Sequence, residues 1–181
     1  MIEIQDLTVK FKNDNTIFEA LSSFNIKIEP GEYLAVIGPN GSGKSTLVKA
    51  LCGLIVPDSG LITIMNSKVI PGNFGRDFFG KAAFVFQEPQ GQFLMPSVEI
   101  EVKSVLQNLG LSIESQQSKF NEIVRDFSLS KIIKSKPDEL SGGQMQIVNL
   151  ACSLAVDPQV LILDEPTTFL DSSYRAQLIN I

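Results

Sequence analysis

The chain has 181 residues, of which 44% are hydrophobic and 19% charged, and 15 Lys plus Arg against 20 Asp plus Glu give a net charge of −5. That length suits one domain, or one domain with a small insertion, and is enough to bury roughly two thirds of the unfolded surface. The composition excludes disordered, collagen-like and coiled-coil chains, and the acidity argues against a nucleic acid partner. No apolar run approaches the ~18 residues of a membrane span, and MIEIQD lacks the basic-then-apolar form of a leader, so a cytosolic chain is expected. Cys52 and Cys152 lie in apolar surroundings and read as reduced packing residues. Histidine is absent, which excludes a histidine base, ligand or switch within this chain.

Ile2, Ile4, Leu7, Val9 and Phe11 roughly alternate with polar residues before the turn-rich stretch at 12–16. Phe24, Ile26 and Ile28 alternate before Pro30-Gly31, so hairpin-like β structure is predicted. The apolar run from Tyr33 to Ile37 predicts a strand buried on both faces of a parallel sheet. Leu47, Val48, Leu51 and Leu54 fall at helical spacing, with Gly53 placed to end the helix. Leu61–Met65 and Ala82–Phe86 predict two further strands, separated by a Gly- and Phe-containing loop at 71–80. Val98, Val102, Val105, Leu106 and Leu109, then Phe120, Ile123, Val124 and Phe127, mark two helical faces, so residues 97–136 read as a small helical insertion. A last helix from about Gly142 to Ala155 precedes a buried strand at Val160–Leu163. Alternating strands and helices predict an α/β fold with a mostly parallel sheet.

Gly38-Pro39-Asn40-Gly41-Ser42-Gly43-Lys44-Ser45-Thr46 fits G-x-x-x-x-G-K-[ST]. Glycines let backbone N–H groups converge on phosphate oxygens, the following helix adds its positive end, Lys44 reaches the β and γ phosphates, and the Ser45 hydroxyl suits Mg²⁺. Leu140-Ser141-Gly142-Gly143-Gln144 begins the last predicted helix. Ser141 with Gln144 forms a capping box, but two consecutive glycines each cost roughly 1 kcal/mol within a helix, and instead suit backbone approach to a second anion. Val160 to Leu163 then delivers Asp164 and Glu165 to a strand's carboxyl end, where α/β sheets bind ligands. Asp164 suits the Mg²⁺ shell and Glu165 the polarising of an attacking water.

GPNGSGKST, a strand ending in Gln87, LSGGQ, and VLILDEP followed by Leu170-Asp171 together resemble the ATP-binding domain of the ABC ATPase family, over nearly the whole chain. The resemblance implies an α/β P-loop NTPase with a RecA-like parallel sheet core, an N-terminal antiparallel β subdomain and a small helical insertion. Residues 1–96 and 137–181 would form the core and 97–136 the helical subdomain. It also implies ATP and Mg²⁺ as cofactors. Lys44, Gln87 and Glu165 would be catalytic, and Ser45, Gln87 and Asp164 would hold the metal. Phe11 would stack on adenine, unless it is an ordinary core residue. Asp171 would belong to the loop between subunits. Ser141, Gly142, Gly143 and Gln144 would meet the γ-phosphate held by a second, head-to-tail ATPase subunit. Phe86–Phe93 and Asn108–Leu111 resemble the energising subunits of energy-coupling factor importers, although Gln90 and Gly91 stand where those proteins carry acidic or amide residues. Ile147 stands where the family often places arginine.

A transmembrane subunit would be the partner, contacted around Gln87 and 97–136 at the cytoplasmic face of the cell membrane. The run Lys131–Lys136 could touch that partner or be a solvated helix end. The family's switch histidine and the last strands of its sheet are expected to be missing from this sequence, which reads as C-terminally truncated, so weak hydrolysis beside retained MgATP binding is expected. A soluble ABC-type ATPase and a non-hydrolysing nucleotide-binding module remain as alternatives.

Overall fold

The structure, a computed structural model, describes residues 1–13, 16–72, 78, 80–170 and 175. The chain divides into two units, Met1–Phe78 and Phe79–Ile181.

In Met1–Phe78, strands β1 (Ile2–Asn13), β2 (Thr16–Ile28), β3 (Ser59–Ile64) and β4 (Ser67–Lys68) form an antiparallel sheet in the order β2-β1-β3-β4. The alternation along β1 slips by one residue between Ile4 and Leu7, yet all of Ile2, Ile4, Leu7 and Val9 are buried. A bulge reconciles the two facts. Asp6 takes φ 47°, the pairing jumps from Ile4↔Ile26 to Leu7↔Phe24, and Leu7 returns to the core face. Asn25 satisfies the disrupted backbone: the Asp6 N–H donates to Asn25 Oδ1 at 2.8 Å, and Asn25 Nδ2 donates to the Ser23 carbonyl at 2.8 Å. Beside the bulge, Gly60 (φ +97°) leaves no room for a side chain, because a Cβ there would lie 2.6 Å from the carbonyl oxygens of Gln5 and Asp6. Met65 and Asn66, both at positive φ, close the two-residue β3–β4 turn as primed hairpin turns require.

Helix α1 (Lys44–Leu51) buries Leu47, Ala50 and Leu51, and Gly53 follows it at φ 66°, the left-handed conformation that ends helices. Residues 33–37 depart from expectation. Among the described residues no strand pairs with them, and Tyr33 and Ile37 are 103% and 90% exposed. An apolar run records a demand for two covered faces, but a strand forms only where neighbours supply hydrogen bonds, and β1–β4 pair among themselves.

In Phe79–Ile181, β5 (Ala82–Val85) and β6 (Val160–Leu163) pair in parallel, Ala82 opposite Val160 through Val85 opposite Leu163. The prediction of a buried strand at 160–163 is corrected: β5 is the one strand paired with β6 among the described residues, and Leu161 and Leu163 are 36% and 38% exposed. Helices α2 (Val98–Gln107), α3 (Ile113–Asp126) and α4 (Gly142–Leu154) build the core here. Val98, Val102, Leu106, Ile123 and Phe127 pack with Met145, Ile147, Val148, Leu150 and Ala151 of α4 and with Val85. Ser97, Ser112 and Ser141 cap the three helices, each accepting a backbone N–H from the first turn. The run at 131–136 serves α2 through its backbone: the Val98 and Glu99 N–H groups donate to the Ser135 and Ile133 carbonyls. Asp171 and residues 73–77 and 79 of the predicted 71–80 loop lie outside the described residues.

Candidate functional site

The glycine loop, residues 38–46, belongs to Met1–Phe78 and enters α1 without a side-chain cap. Gly43 is the N-cap at φ 91°, there is no acidic residue in the first turn, and a Cβ on Gly43 would lie 2.4 Å from the Ala20 carbonyl. The first amides of a helix have no intrahelical partner. Where α2, α3 and α4 satisfy one with serine, α1 has no side-chain cap among the described residues, an arrangement that leaves the positive end of its dipole for an anion. Lys44 folds back over the loop, its Nζ donating to the Gly38 carbonyl at 2.9 Å and the Pro39 carbonyl at 3.0 Å. The Ser42 N–H donates to the Pro39 carbonyl at 3.2 Å, and Gly41 turns at φ 80°. Gly38 lies close beneath Ser42, whose Oγ a Cβ would approach to 2.8 Å. Ser45 and Thr46, in the first turn of α1, are half-buried. Asn40 sits at the exposed turn of the loop. Phe11, at the far end of β1 opposite Phe18, is 43% exposed.

The other predicted residues belong to Phe79–Ile181. Gln87 follows β5 and Asp164-Glu165 follow β6, and because the strands run parallel their carboxyl ends lie side by side. Gln87 Nε2 donates to Glu165 Oε2 at 2.9 Å, and Thr168 Oγ1 donates to the same oxygen at 3.2 Å. Glu165 sits at φ 47°, a conformation that costs a non-glycine residue about 1 kcal/mol or more. The turn carrying it is closed by the Thr168 N–H on the Glu165 carbonyl. Asp164 is buried, and its N–H donates to the Val85 carbonyl at 2.8 Å. At the start of α4, Ser141 Oγ accepts the Gln144 N–H at 3.2 Å while Gln144 Oε1 accepts the Ser141 N–H at 2.8 Å, a complete capping box. Gly142 has a steric reason as well, since a Cβ there would press on the Phe169 ring at 3.3 Å. Gly143 is buried.

Sequence reasoning missed three buried polar side chains. Glu101 accepts the Leu94 and Met95 N–H groups at 3.0 and 2.7 Å. Asn149 donates to the Pro89 carbonyl at 2.9 Å. Gln146 is buried, and among the described residues neither polar atom of its carboxamide finds a hydrogen-bond partner. A signal existed for each, because 101 continues the apolar face of Val98 and Val102, and Gln146 and Asn149 interrupt an apolar stretch. Burial, with Glu101 nearby, pushes the Cys152 thiol up to about 12, and Cys52 and Cys152 form no disulfide among the described residues.

A family model described as ABC transporter matches residues 21–168. The energy-coupling factor transporter ATP-binding protein EcfA of Pediococcus pentosaceus is 34% identical over 181 residues, all of this chain and 64% of its own length. EcfA1 of Streptococcus thermophilus is 37% identical over 179 residues, 99% of this chain and 64% of its own. The chain therefore spans about two thirds of the length of these relatives. Among solved structures, a dimeric ATP-binding cassette in a post-hydrolysis state bound to ADP and Pi superposes with a TM-score of 0.83 at 30% identity, covering 99% of this chain and 80% of that one. The cbiO1 protein of Clostridium perfringens, part of the ABC transporter complex cbiONQ, superposes with a TM-score of 0.76 at 29% identity, covering 99% and 70%. Motifs, fold and relatives agree: the chain belongs to the ABC transporter family.

Proposed function

We propose that the chain binds MgATP and hydrolyses it, as one of two head-to-tail ATPase subunits that power an energy-coupling factor type importer through a transmembrane partner. The observation that carries the reading is the uncapped start of α1, with Gly43 too close to Ala20 for any side chain and Lys44 poised on the loop carbonyls. Residues 38–46 hold the phosphates and Phe11 stacks on the base. Ser141, Gly142, Gly143 and Gln144 meet the γ-phosphate held by the other subunit. Glu165 orients and deprotonates the attacking water, and Gln87, already on its carboxylate, positions that water beside it. The hydroxyl of Ser45, the carboxamide oxygen of Gln87 and the carboxylate of Asp164 are each hard oxygen donors of the kind Mg²⁺ takes, and the ion they would hold would neutralise phosphate charge. Residues 1–96 and 137–181 act as the ATPase core, and 97–136 with the Gln87 segment face the membrane partner. The working location is thus the cytoplasmic face of the membrane. Among the described residues no helix is long and apolar enough to cross a membrane.

Titration of the full chain with a fluorescent ATP analogue in Mg²⁺ tests the reading. Lys44→Ala should weaken binding about 10- to 100-fold, the range of a charge-assisted contact to phosphate. Glu165→Gln should keep binding, abolish hydrolysis and trap an ATP-bound dimer by size. No binding by the wild-type chain, or Lys44→Ala binding as the wild type does, overturns it.

A further inference from the structure

A buried polar network ties α4 to the segment that carries Gln87. Asn149, 4% exposed, donates from Nδ2 to the Pro89 carbonyl at 2.9 Å and to Gln92 Oε1 at 3.5 Å. Gln92 acts as a clip on the end of β5: its Oε1 accepts the Phe86 N–H at 3.0 Å, and its Nε2 donates to the Phe84 carbonyl at 3.1 Å. Ser153, one turn beyond Asn149, donates to the same Phe84 carbonyl at 3.3 Å. Glu101 on α2 holds the other end of the segment through the Leu94 and Met95 N–H groups. Residues 84–95 are thus fastened on both sides of Gln87, whose side chain reaches Glu165. A carboxamide inside the apolar stretch Ile147–Ala151 carries a desolvation cost that only its hydrogen bonds offset.

We propose that Asn149 is a positioning residue for Gln87: acting through Pro89 and Gln92, it makes the placement of Gln87 on Glu165 depend on α4, the helix that Ser141 caps. The proposal rests on the roles assigned above to Gln87 and Glu165, but its first test does not. Hydrogen exchange in the full chain is compared between wild type, Asn149→Ala and the similarly branched but larger Asn149→Leu, which serves if the alanine variant fails to fold. The Phe86 amide should exchange about fivefold to tenfold faster, the factor one buried hydrogen bond carries, while α3 amides keep their wild-type rates. An unchanged Phe86, or Phe86 and α3 rising together, overturns the proposal. The second test is ATP turnover. Asn149→Ala should lower kcat with KM unchanged, and should have no further effect in a Gln87→Ala background. Additive effects of the two substitutions overturn it. A wild-type chain without turnover counts against the proposed function alone, and the exchange result still decides the role of Asn149.

Discussion

Gly43→Ala probes the loop most sharply, because its cost separates into two parts that a sister substitution isolates. Gly43 and Gly41 both hold left-handed backbone, at φ +91° and +80°, so alanine at either pays roughly 1 kcal/mol of conformational strain. About 0.4–1 kcal/mol of that is recovered from the stiffer unfolded chain. They differ in space. Nothing lies within 4 Å of a Cβ on Gly41, whereas a Cβ on Gly43 would stand 2.4 Å from the Ala20 carbonyl oxygen and 3.1 Å from a Leu21 methyl. The first obstacle is the backbone of β2, which cannot rotate away, so α1 and β2 must separate by several tenths of an ångström. Forcing a packed site in this way costs about 1–3 kcal/mol. Gly41→Ala should therefore be nearly neutral and Gly43→Ala destabilising by about 2–3 kcal/mol, which at a typical slope moves the urea midpoint by about 1 M. Urea unfolding followed by circular dichroism measures both. Equal midpoints for the two variants would refute the steric argument and leave conformational strain alone to explain the glycine.

Three other outcomes are expected. With burial pushing its thiol up to about 12, Cys152 should be alkylated at pH 8 roughly tenfold to a hundredfold more slowly in the folded chain than an ordinary thiol of ~8.5, the smaller thiolate fraction being partly offset by the greater nucleophilicity of a more basic thiolate, and mass spectrometry after iodoacetamide detects a failure as fast labelling. Replacing the buried Glu101 by alanine strips the part-buried Leu94 and Met95 amides of their acceptor and should cost about 1.5–3 kcal/mol in chemical unfolding; a loss within the ~0.5 kcal/mol of a surface change would show that water replaces the carboxylate freely. Ser141→Ala removes the cap of α4 and should cost about 1 kcal/mol in chemical unfolding of the nucleotide-free chain, while no loss in the absence of nucleotide would deny the hydroxyl its capping role.

The hairpins, helices α1 to α4 and the phosphate loop were legible because each has a local cause: alternation, helical spacing, or a glycine where backbone must turn left-handed. Serine caps at 97, 112 and 141 mark the helix starts equally locally. The segment 33–37 was not legible, since its apolar run states a need for neighbours without saying where they stand. Leu161 and Leu163 fail as core residues for the same non-local reason. At the site, Gln87 and Glu165 meet because parallel pairing sets their strand ends side by side. Thr168 joins them only through the turn that follows, which no motif announces. Glu101 and Asn149 were visible as polar intruders on apolar faces, but their partners are backbone groups up to sixty positions away.

The bare start of α1 has a thermodynamic consequence. A helix capped by serine carries its own anchor whether or not a ligand is bound. One that leaves its first amides to an anion becomes firmer only when that anion arrives. If the anion is ATP at a hundred times its dissociation constant, mass action adds about 2.7 kcal/mol to the folded state, enough to make the melting temperature a gauge of nucleotide supply.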